Sequence, residues 1–267
     1  MRVAVIGSGG LLGNAIVRVF ERRGESVLGL DLPEHDVTDR LFFGDLLADF
    51  RPEVIVNASG LGDLDWVERH PNSAFHVHVR GTAVLREAAE KTGATLVQCS
   101  CMECGSGDSV FARTRRDAER AAAEWRSHLI VRCSTLFGPV GERSRGGLVA
   151  TVLQAVRRTR KFQAVDNRYC SPTYTDHLAS AIHELLRQQV TGLIHIGNTG
   201  RVTPAELLEE LATMTGLPLE IEPISQENLG MLASRSSDTS IAETELPDWR
   251  DALREYLESR RLGHQSQ

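Results

Sequence analysis

The chain has 267 residues, a formal net charge of −6 at pH 7 and 41% hydrophobic residues. This length and composition suit one large buried core, or one core with a smaller lobe. The dispersed, net acidic charge gives no field that would recruit nucleic acid or an anionic membrane. No apolar run is long enough to span a bilayer, no signal peptide is recognisable, and the five cysteines lack the spacing of a disulfide framework. We therefore expect a cytoplasmic protein with reduced thiols.

Apolar strands alternate with helices over the first two thirds of the chain. The pattern predicts strands at 2–7, 26–31, 54–59, 95–100, 128–134 and 192–198, and helices at 11–24, 37–50, 73–93, 109–127 and 147–160. Repeated β-α-β units with apolar strands indicate a parallel sheet covered by helices on both faces. The expected fold class is therefore α/β, a Rossmann-type doubly wound parallel sheet.

The last third of the chain has a different pattern. It predicts a helix at 204–216 with Thr203 as its N-cap, a strand at 219–224, and an amphipathic terminal helix at 247–261. The polar stretch before that last helix has too few apolar residues to form core. We expect three regions: a Rossmann dinucleotide-binding core at 1–134, a mixed segment at 135–200 that completes the sheet and carries substrate-side loops, and a small C-terminal α/β substrate lobe at 201–267.

A glycine-rich turn between the first strand and the first helix predicts a dinucleotide site. Gly7, Gly10 and Gly13 have GxxGxxG spacing, and a turn without Cβ atoms lets a pyrophosphate approach the helix N-terminus. Asp31 ends the second strand, where a carboxylate accepts hydrogen bonds from a ribose diol and repels a 2′-phosphate. NAD(H) is therefore favoured, and NADP(H) stays open because one carboxylate discriminates weakly. Further cofactor contacts are predicted for Leu11 and Leu12 in the helix start, Asp36 and Val37 along the adenine edge, and Asn57, Ala58 and Ser59 after the third strand.

Several segments together resemble an extended short-chain dehydrogenase/reductase, specifically the dTDP-4-dehydrorhamnose reductase family. They are GSGGLLG, DVTD, RPEVIVNAS, LDWVE, AFHVHVRGTAVLREAA, SPTY and LPDWRDAL, in the family's order and over nearly the whole chain. The resemblance implies a small-molecule substrate, a nucleotide sugar being one candidate, and a role in sugar-nucleotide or secondary-metabolite biosynthesis. It also implies hydride transfer, in which a tyrosine protonates the keto oxygen while a lysine four residues later lowers the tyrosine's pKa and holds the nicotinamide ribose.

The positions that would carry this chemistry depart from the family's pattern. Phe111 stands at the tyrosine position and Arg115 at the lysine position, and the Ser-Thr-Asp that ends the fourth strand is Ser100-Cys101-Met102. Phenylalanine cannot donate a proton, and arginine keeps its charge at neutral pH. Loss of a general acid typically costs about 10²–10⁴ in rate. We therefore expect Arg115 to contact the cofactor's ribose or a phosphate, and ketoreduction to be slow or absent.

Three functions stay open. In the first, the chain is an enzyme with relocated acid–base groups, for which Glu103 and Cys101 are the candidates beside Ser100. In the second, it is a catalytically inactive nucleotide-binding regulatory subunit. In the third, it catalyses a non-redox reaction, as a dehydratase, epimerase or isomerase does, with the cofactor as a structural element. The alternative roles are an exposed loop carboxylate for Glu103 and a buried strand-end thiol for Cys101. A homodimer or a partner enzyme is also left open.

The resemblance also implies a set of substrate contacts. His78 stands where the family has an asparagine. The other candidates are Arg168, Tyr169, Ser171 and Thr173 in RYCSPTYTD, Arg235 in SRSSDTS, and, as phosphate contacts, Arg143 and Arg145 in GERSRGG.

Three cysteines form a C-x-C-x-x-C motif at Cys99, Cys101 and Cys104. A zinc site needs a second cysteine or histidine pair, and none follows at ligand spacing. A redox dithiol is also disfavoured, because no helix is predicted directly after the motif. Cys104 can meet Cys101 only through a turn. We therefore predict no metal site.

Overall fold

The computed structural model describes residues 1–141, 143–144, 146–156, 158–242 and 245–265. Its strands are β1 (Arg2–Ile6), β2 (Ser26–Leu30), β3 (Val54–Asn57), β4 (Thr95–Cys101), β5 (His128–Cys133), β6 (Leu136–Phe137), β7 (Lys161–Val165), β8 (Tyr169–Cys170), β9 (Thr173–Tyr174), β10 (Gly192–His195), β11 (Asn198–Thr199), β12 (Glu220–Ile224), β13 (Asp238–Thr239) and β14 (Leu246–Asp248). Its helices are α1 (Leu11–Arg22), α2 (Arg40–Phe50), α3 (Leu64–Arg69), α4 (Pro71–Phe75), α5 (Gly81–Thr92), α6 (Glu103–Ser106), α7 (Val110–Ala123), α8 (Gly147–Ala155), α9 (Thr175–Arg187), α10 (Pro204–Thr215) and α11 (Trp249–Gln265). None of these helices is long and apolar enough to cross a membrane.

The main sheet is parallel throughout and has six strands within the described ranges, in the order β10-β5-β4-β3-β1-β2. The expected α/β Rossmann-type sheet is therefore confirmed. The chain runs outward from β1 to β2 and then returns to β3 on the other side of β1. A parallel sheet opens a crevice at the carboxyl ends of its strands where the strand order reverses in this way. The strand order therefore reverses between β1 and β3, which is where a ligand crevice is expected.

Helix boundaries follow capping residues in the sequence. The helix expected from residue 37 begins later, at Arg40, because the Asp39 side chain accepts a hydrogen bond from the Phe42 N–H and so caps the first turn. Thr203 is confirmed as the N-cap of α10, where it forms a reciprocal capping box with Glu206. The terminal helix starts near its predicted position, and its described part extends to Gln265.

The helix predicted over 73–93 is not uniform. It begins at Pro71, and a π-helical turn at His76–Arg80 separates α4 from α5. The turn carries His78 into the interior, while His76 stays exposed. A π-turn widens a helix by one residue, and such turns are frequent at functional sites. The apolar periodicity of the segment did not show this interruption.

Apolar side chains cover both faces of the main sheet and also fill a second core. One face packs against α1 and α9 and the other against α2, α5 and α7. The second core contains Phe137, Val149, Tyr174, Leu208 and Trp249. It therefore draws on the mixed middle segment as well as on the C-terminal residues. The polar stretch that we expected to lie outside the core nevertheless buries Ile241, which is 6% exposed.

Gly13 lies where the chain cannot hold a larger residue. A Cβ built on it would stand 2.0 Å from the Gly7 carbonyl oxygen. We predict that Gly13→Ala lowers the free energy of unfolding by about 1–3 kcal/mol, because the turn or α1 must shift to relieve the overlap. Urea denaturation measures the change. Gly44→Ala is the matched control: a Cβ there meets nothing within 4 Å, so it stabilises α2 by about 0.5–1 kcal/mol. Equal effects at the two glycines would contradict this account.

Candidate active site

The glycine turn forms the floor of the crevice between β1 and β3. Gly7 has φ +81°, and a Cβ on it would stand 2.7 Å from the Ser59 nitrogen, so β1 and β3 approach backbone to backbone. Gly10 caps α1 without a side-chain hydrogen bond, and the first turn carries no acidic residue. The N–H groups that open α1, at Leu11, Leu12 and Gly13, therefore remain available to an anion. These residues fit a dinucleotide pyrophosphate.

Asp31 lies beside the glycine turn. Its Oδ2 accepts a hydrogen bond from the Gly9 N–H at 2.8 Å, and its Oδ1 lies 3.8 Å from the Arg143 Nε. The Arg143 N–H donates to the Gly9 carbonyl oxygen at 3.0 Å. A carboxylate and a guanidinium thus share the place expected for the adenosine ribose. Sequence reasoning placed Arg143 at a phosphate without linking it to Asp31, and Arg145 lies outside the described residues.

Polar side chains after β3 hold that strand end in place. Asn57 donates to Gln98 and Thr82, and its Oδ1 accepts from the Ser59 hydroxyl at 2.6 Å. Ala58 contributes the backbone that approaches Gly7. The rigid strand end suits close contact with a cofactor, as the sequence suggested.

The two residues predicted along the adenine edge have different surroundings. Asp36 caps its own turn through hydrogen bonds from Thr38 and lies near the surface. Val37 is 6% exposed and packs where Gly81 leaves space. The Val37 side chain therefore belongs to the core.

Phe111 and Arg115 lie together on α7, beside the end of β3. The Phe111 ring is 6% exposed and lies in an apolar cluster with Val67, Ala74 and Val110. The Arg115 guanidinium carbon lies 5.6 Å from the centre of this ring, and its Nη1 lies 3.5 Å from the Ser59 carbonyl oxygen. The buried Arg115 Nε has no hydrogen-bond partner among the described atoms. The Arg115 guanidinium thus faces the end of β3 with N–H donors that are not all used. Phe111, at the expected tyrosine position, offers only an apolar ring.

His78 differs from the role expected of it. It is 2% exposed; its Nε2 accepts a hydrogen bond from the Leu61 N–H at 3.0 Å, and its Nδ1 lies 2.9 Å from the Thr114 hydroxyl. Burial, with the positive charge of Arg115, lowers the pKa of His78 to about 3. The predicted substrate contact is not supported, because both ring nitrogens already bind protein. His78 instead fastens the loop after β3 to α7.

A buried ion pair beneath the strand ends was missed from the sequence. The Glu119 carboxylate on α7 accepts two hydrogen bonds from Arg132 on β5, at 2.8 and 2.6 Å, and one from the Ser100 hydroxyl. Glu119 is 6% exposed and Ser100 is 3% exposed. Ser100, a predicted catalytic residue, therefore orients this network from the interior. No sequence pattern marked this pair, since a glutamate in an alanine-rich helix normally faces solvent.

Cys101 and Cys104 meet at the carboxyl end of β4. Their sulfur atoms are 3.6 Å apart, and the Cys104 sulfur also lies 3.5 Å from the Ser100 hydroxyl. A hydrogen bond from the Cys101 thiol, opposed by burial, lowers the pKa of Cys104 to about 7; the same bond and burial raise the pKa of Cys101 well above its usual range. The turn at Met102 and the start of α6 bring the two cysteines together. The short helix α6 begins inside the motif, at Glu103, where no helix was predicted.

Glu103 joins the strand end to the C-terminal lobe. It is 4% exposed, and its carboxylate accepts from the Ser236 N–H at 2.8 Å and from the Arg168 guanidinium at 3.1 Å. It is therefore not the exposed loop carboxylate considered above. Arg235 is held in the same way by Asp65 of α3, at 3.1 Å. Burial raises the pKa of Asp65. The hydrogen bond from the Ala233 N–H and the positive charge of Arg235 lower it by more, so the pKa of Asp65 lies below its ordinary value.

The remaining predicted substrate contacts are mostly interior. The fully buried Ser171 hydroxyl donates to the Gly200 carbonyl oxygen and accepts from the Ile241 N–H, and the fully buried Thr173 hydroxyl donates to the Ser171 carbonyl oxygen. Their predicted substrate contact is not supported, because these bonds use the hydroxyls to join chain segments. Tyr169 is half-buried beneath Arg201, whose guanidinium carbon lies 3.3 Å from the ring centre. Within the described ranges no group of His, Cys, Asp or Glu side chains could hold a metal ion.

Comparison with known proteins places this geometry in context. The family model described as "RmlD substrate binding domain" matches residues 1–262. A dTDP-4-dehydrorhamnose reductase from Streptomyces griseus is 28% identical over 95% of this chain and 92% of its own. The solved dTDP-4-dehydrorhamnose reductase of Bacillus anthracis, in complex with NADP, has a TM-score of 0.91 at 21% identity, covering 97% of this chain and 99% of that one. A Thermus thermophilus UDP-glucose 4-epimerase in complex with NAD has a TM-score of 0.78 at 19% identity, covering 96% and 93%.

The buried, neutral state of His78 predicts a pH dependence of stability. Its folded-state pKa of about 3 lies below the ordinary value of 6.5. Below about pH 6.5, His78 is therefore protonated in the unfolded chain but stays neutral in the folded chain. Stability is therefore lost as the pH falls from 6.5 toward 3. Between about pH 7.5 and 4.5 this group alone should remove about 2 kcal/mol from the free energy of unfolding. In urea denaturation at both pH values, His78→Asn should lose less stability than the wild type. The same change at exposed His76 is the control, and an unchanged loss in His78→Asn would contradict the assignment.

Proposed function

Because the chain belongs to the RmlD substrate-binding-domain family, we propose that it binds a nicotinamide dinucleotide and a nucleotide sugar in the crevice between β1 and β3, with acid–base chemistry that does not use the family's tyrosine. The carrying observation is the pair on α7. Arg115 keeps a cation against the end of β3, while Phe111 fills the acid's position with a buried ring. The proposal places the chain in sugar-nucleotide or secondary-metabolite biosynthesis, and its similarity to a Streptomyces griseus dTDP-4-dehydrorhamnose reductase supports the first of the two.

The arrangement of the crevice supports binding more strongly than proton transfer. Gly7 and the open start of α1 suit the pyrophosphate, Asp31 suits a ribose diol, and Arg115 suits the second ribose or a phosphate. A bound dinucleotide would supply the hydride for any redox step. The chain's own groups would orient the sugar and exclude water. Two proton donors were predicted, Glu103 and Cys101. The Glu103 carboxylate is already bound by Arg168 and Ser236, whereas Cys101 is partly exposed at the end of β4. Cys101 is therefore the better placed of the two to act on a substrate.

A nucleotide-binding subunit without catalysis is the second candidate function. It is favoured by two ion pairs that hold predicted substrate contacts. Arg168 is held by Glu103 of α6, and Arg235 is held by Asp65 of α3. A substrate phosphate would have to compete with these carboxylates for the guanidinium groups. Binding of dinucleotide without binding of a nucleotide sugar would support this candidate.

The surroundings of Asp31 predict a preference for NADH. A 2′-phosphate would stand against the carboxylate, whereas a ribose diol would donate hydrogen bonds to it. We expect calorimetric titration to give at least about tenfold tighter binding of NADH than of NADPH, which corresponds to about 1.4 kcal/mol. Asp31→Asn should narrow the gap, because the amide oxygen can still accept from the Gly9 N–H but carries no charge. Arg143→Ala should weaken NADPH binding more than NADH binding. Tighter NADPH binding by the wild type would overturn the argument from Asp31.

The pair on α7 predicts that ketoreduction is limited by the missing acid. We expect the wild type to oxidise NADH only very slowly with dTDP-4-keto-6-deoxy sugars, and the double variant Phe111→Tyr, Arg115→Lys to react about 10²–10⁴ times faster. The decrease in reduced-nicotinamide absorbance measures both rates. Phe111→Leu with Arg115→Lys is the matched control, since it changes the same positions without adding an acid. A wild type as fast as its own double variant would show that another group already donates the proton.

A further inference from the structure

The thiols of Cys101 and Cys104 are placed to bond to each other. Their sulfur atoms are 3.6 Å apart, and two residues separate them along the chain. A disulfide needs an S–S distance of about 2.05 Å and a Cα separation of about 4.4–6.8 Å. A small rotation of the side chains in a short turn can close the remaining distance, with little loss of chain entropy. The five cysteines are free in this structure.

We propose that Cys101 and Cys104 are a redox modification site, which forms a reversible intramolecular disulfide when the protein meets a low-molecular-weight disulfide. This inference is independent of the dinucleotide and sugar chemistry proposed above. Cys101 is partly exposed at the end of β4, whereas Cys104 is fully buried behind it. An external reagent therefore reaches Cys101 first, and Cys104 is the resolving thiol.

The hydrogen bond between the two sulfur atoms supports this order of events, because it gives the Cys101 thiol a proton acceptor in Cys104. The hydrogen bond from Cys101 lowers the pKa of Cys104 to about 7, so the pair carries one thiolate near neutral pH. Cys99 and Cys133 lie close by, but burial raises the pKa of each to about 12. Those two thiols stay protonated and unreactive. Two cysteines of the group are therefore chemically distinct from their neighbours.

Thiol–disulfide exchange with one external disulfide is enough to oxidise the cysteine pair. The Cys101 thiol passes its proton to the Cys104 thiolate along their hydrogen bond, and its sulfur attacks one sulfur of the external disulfide, whose other sulfur leaves and takes up a proton. The Cys104 sulfur, its proton passing to solvent, then attacks the Cys101 sulfur and expels the second external thiol. The protein gives up two electrons and two protons, and one external disulfide becomes two thiols. Because Glu103 lies between the two cysteines, the new bond constrains the same turn that holds Arg168.

Thiol counting after treatment with glutathione disulfide tests the proposal on the whole chain. The reduced protein has five thiols. The oxidised protein should have three thiols, and its intact mass should show no glutathione adduct. Reduction with dithiothreitol should restore all five thiols. Fragmentation of the peptide that spans both residues should locate the bond between Cys101 and Cys104. Five remaining thiols, a lasting glutathione adduct, or a bond from Cys101 to its cross-strand neighbour Cys133 would each overturn the proposal.

Single variants separate the two roles. Cys104→Ser should retain glutathione on Cys101, because the resolving thiol is gone, and Cys101→Ser should retain all four remaining thiols, because Cys104 is enclosed. Cys99→Ser and Cys133→Ser are the matched controls, and each should still lose two thiols. Cys101→Thr, with a hydroxyl in place of the thiol, replaces Cys101→Ser if that variant does not fold. Loss of two thiols in both the Cys101 and the Cys104 variants would assign the bond to other cysteines.

Discussion

The close approach of the glycine turn to the end of β3 is the constraint on which the rest of the site depends. Gly7 and Ser59 meet backbone to backbone, and Gly13 lets α1 start directly above the Gly7 carbonyl oxygen. This packing fixes where the N-terminus of α1 points and how far β3 extends. The Gly9 N–H bound by Asp31 and the Ser59 carbonyl oxygen beside Arg115 are both part of this backbone. A shift of the turn would therefore move the pyrophosphate site and both of its flanking charges together.

Most of the fold could be predicted because its signals are local. The strands are apolar, the turns carry glycine, and the capping residues Asp39 and Thr203 mark helix starts in their own short segments. The π-turn around His78 escaped prediction because its cause is tertiary. The His78 ring binds Leu61 and Thr114, which are far from it in the sequence. Short parallel pairs such as β7 with β12 also depend on distant partners, and only the second strand of that pair had a sequence signal.

The candidate site was harder to predict, because its charges are paired across the fold. Glu103 was considered as a relocated acid, yet Arg168 and the Ser236 N–H, both far along the chain, hold it. Glu119 had the pattern of a solvated helix residue, yet Arg132 on β5 faces it through the interior. A buried carboxylate that accepts hydrogen bonds from an arginine is fixed in place, which suits a positioning role better than a proton donor. The sequence shows the residue types, and only the packing shows which of them are already engaged.

The surroundings of Phe111 suit a ring without a hydroxyl. A tyrosine hydroxyl at position 111 would need a hydrogen-bond partner, whereas Val67, Ala74 and Val110 give the phenylalanine ring an apolar enclosure. The Arg115 cation lies over that ring and, with burial, keeps His78 neutral, so the cation at the lysine position now serves packing and electrostatics as well as ligand contact. A single change at position 111 would leave this set of contacts in place. These contacts suit a ring without a hydroxyl at position 111. Among the side chains predicted to be catalytic, Cys101 and Arg115 are the two that keep partial exposure at the end of the strands.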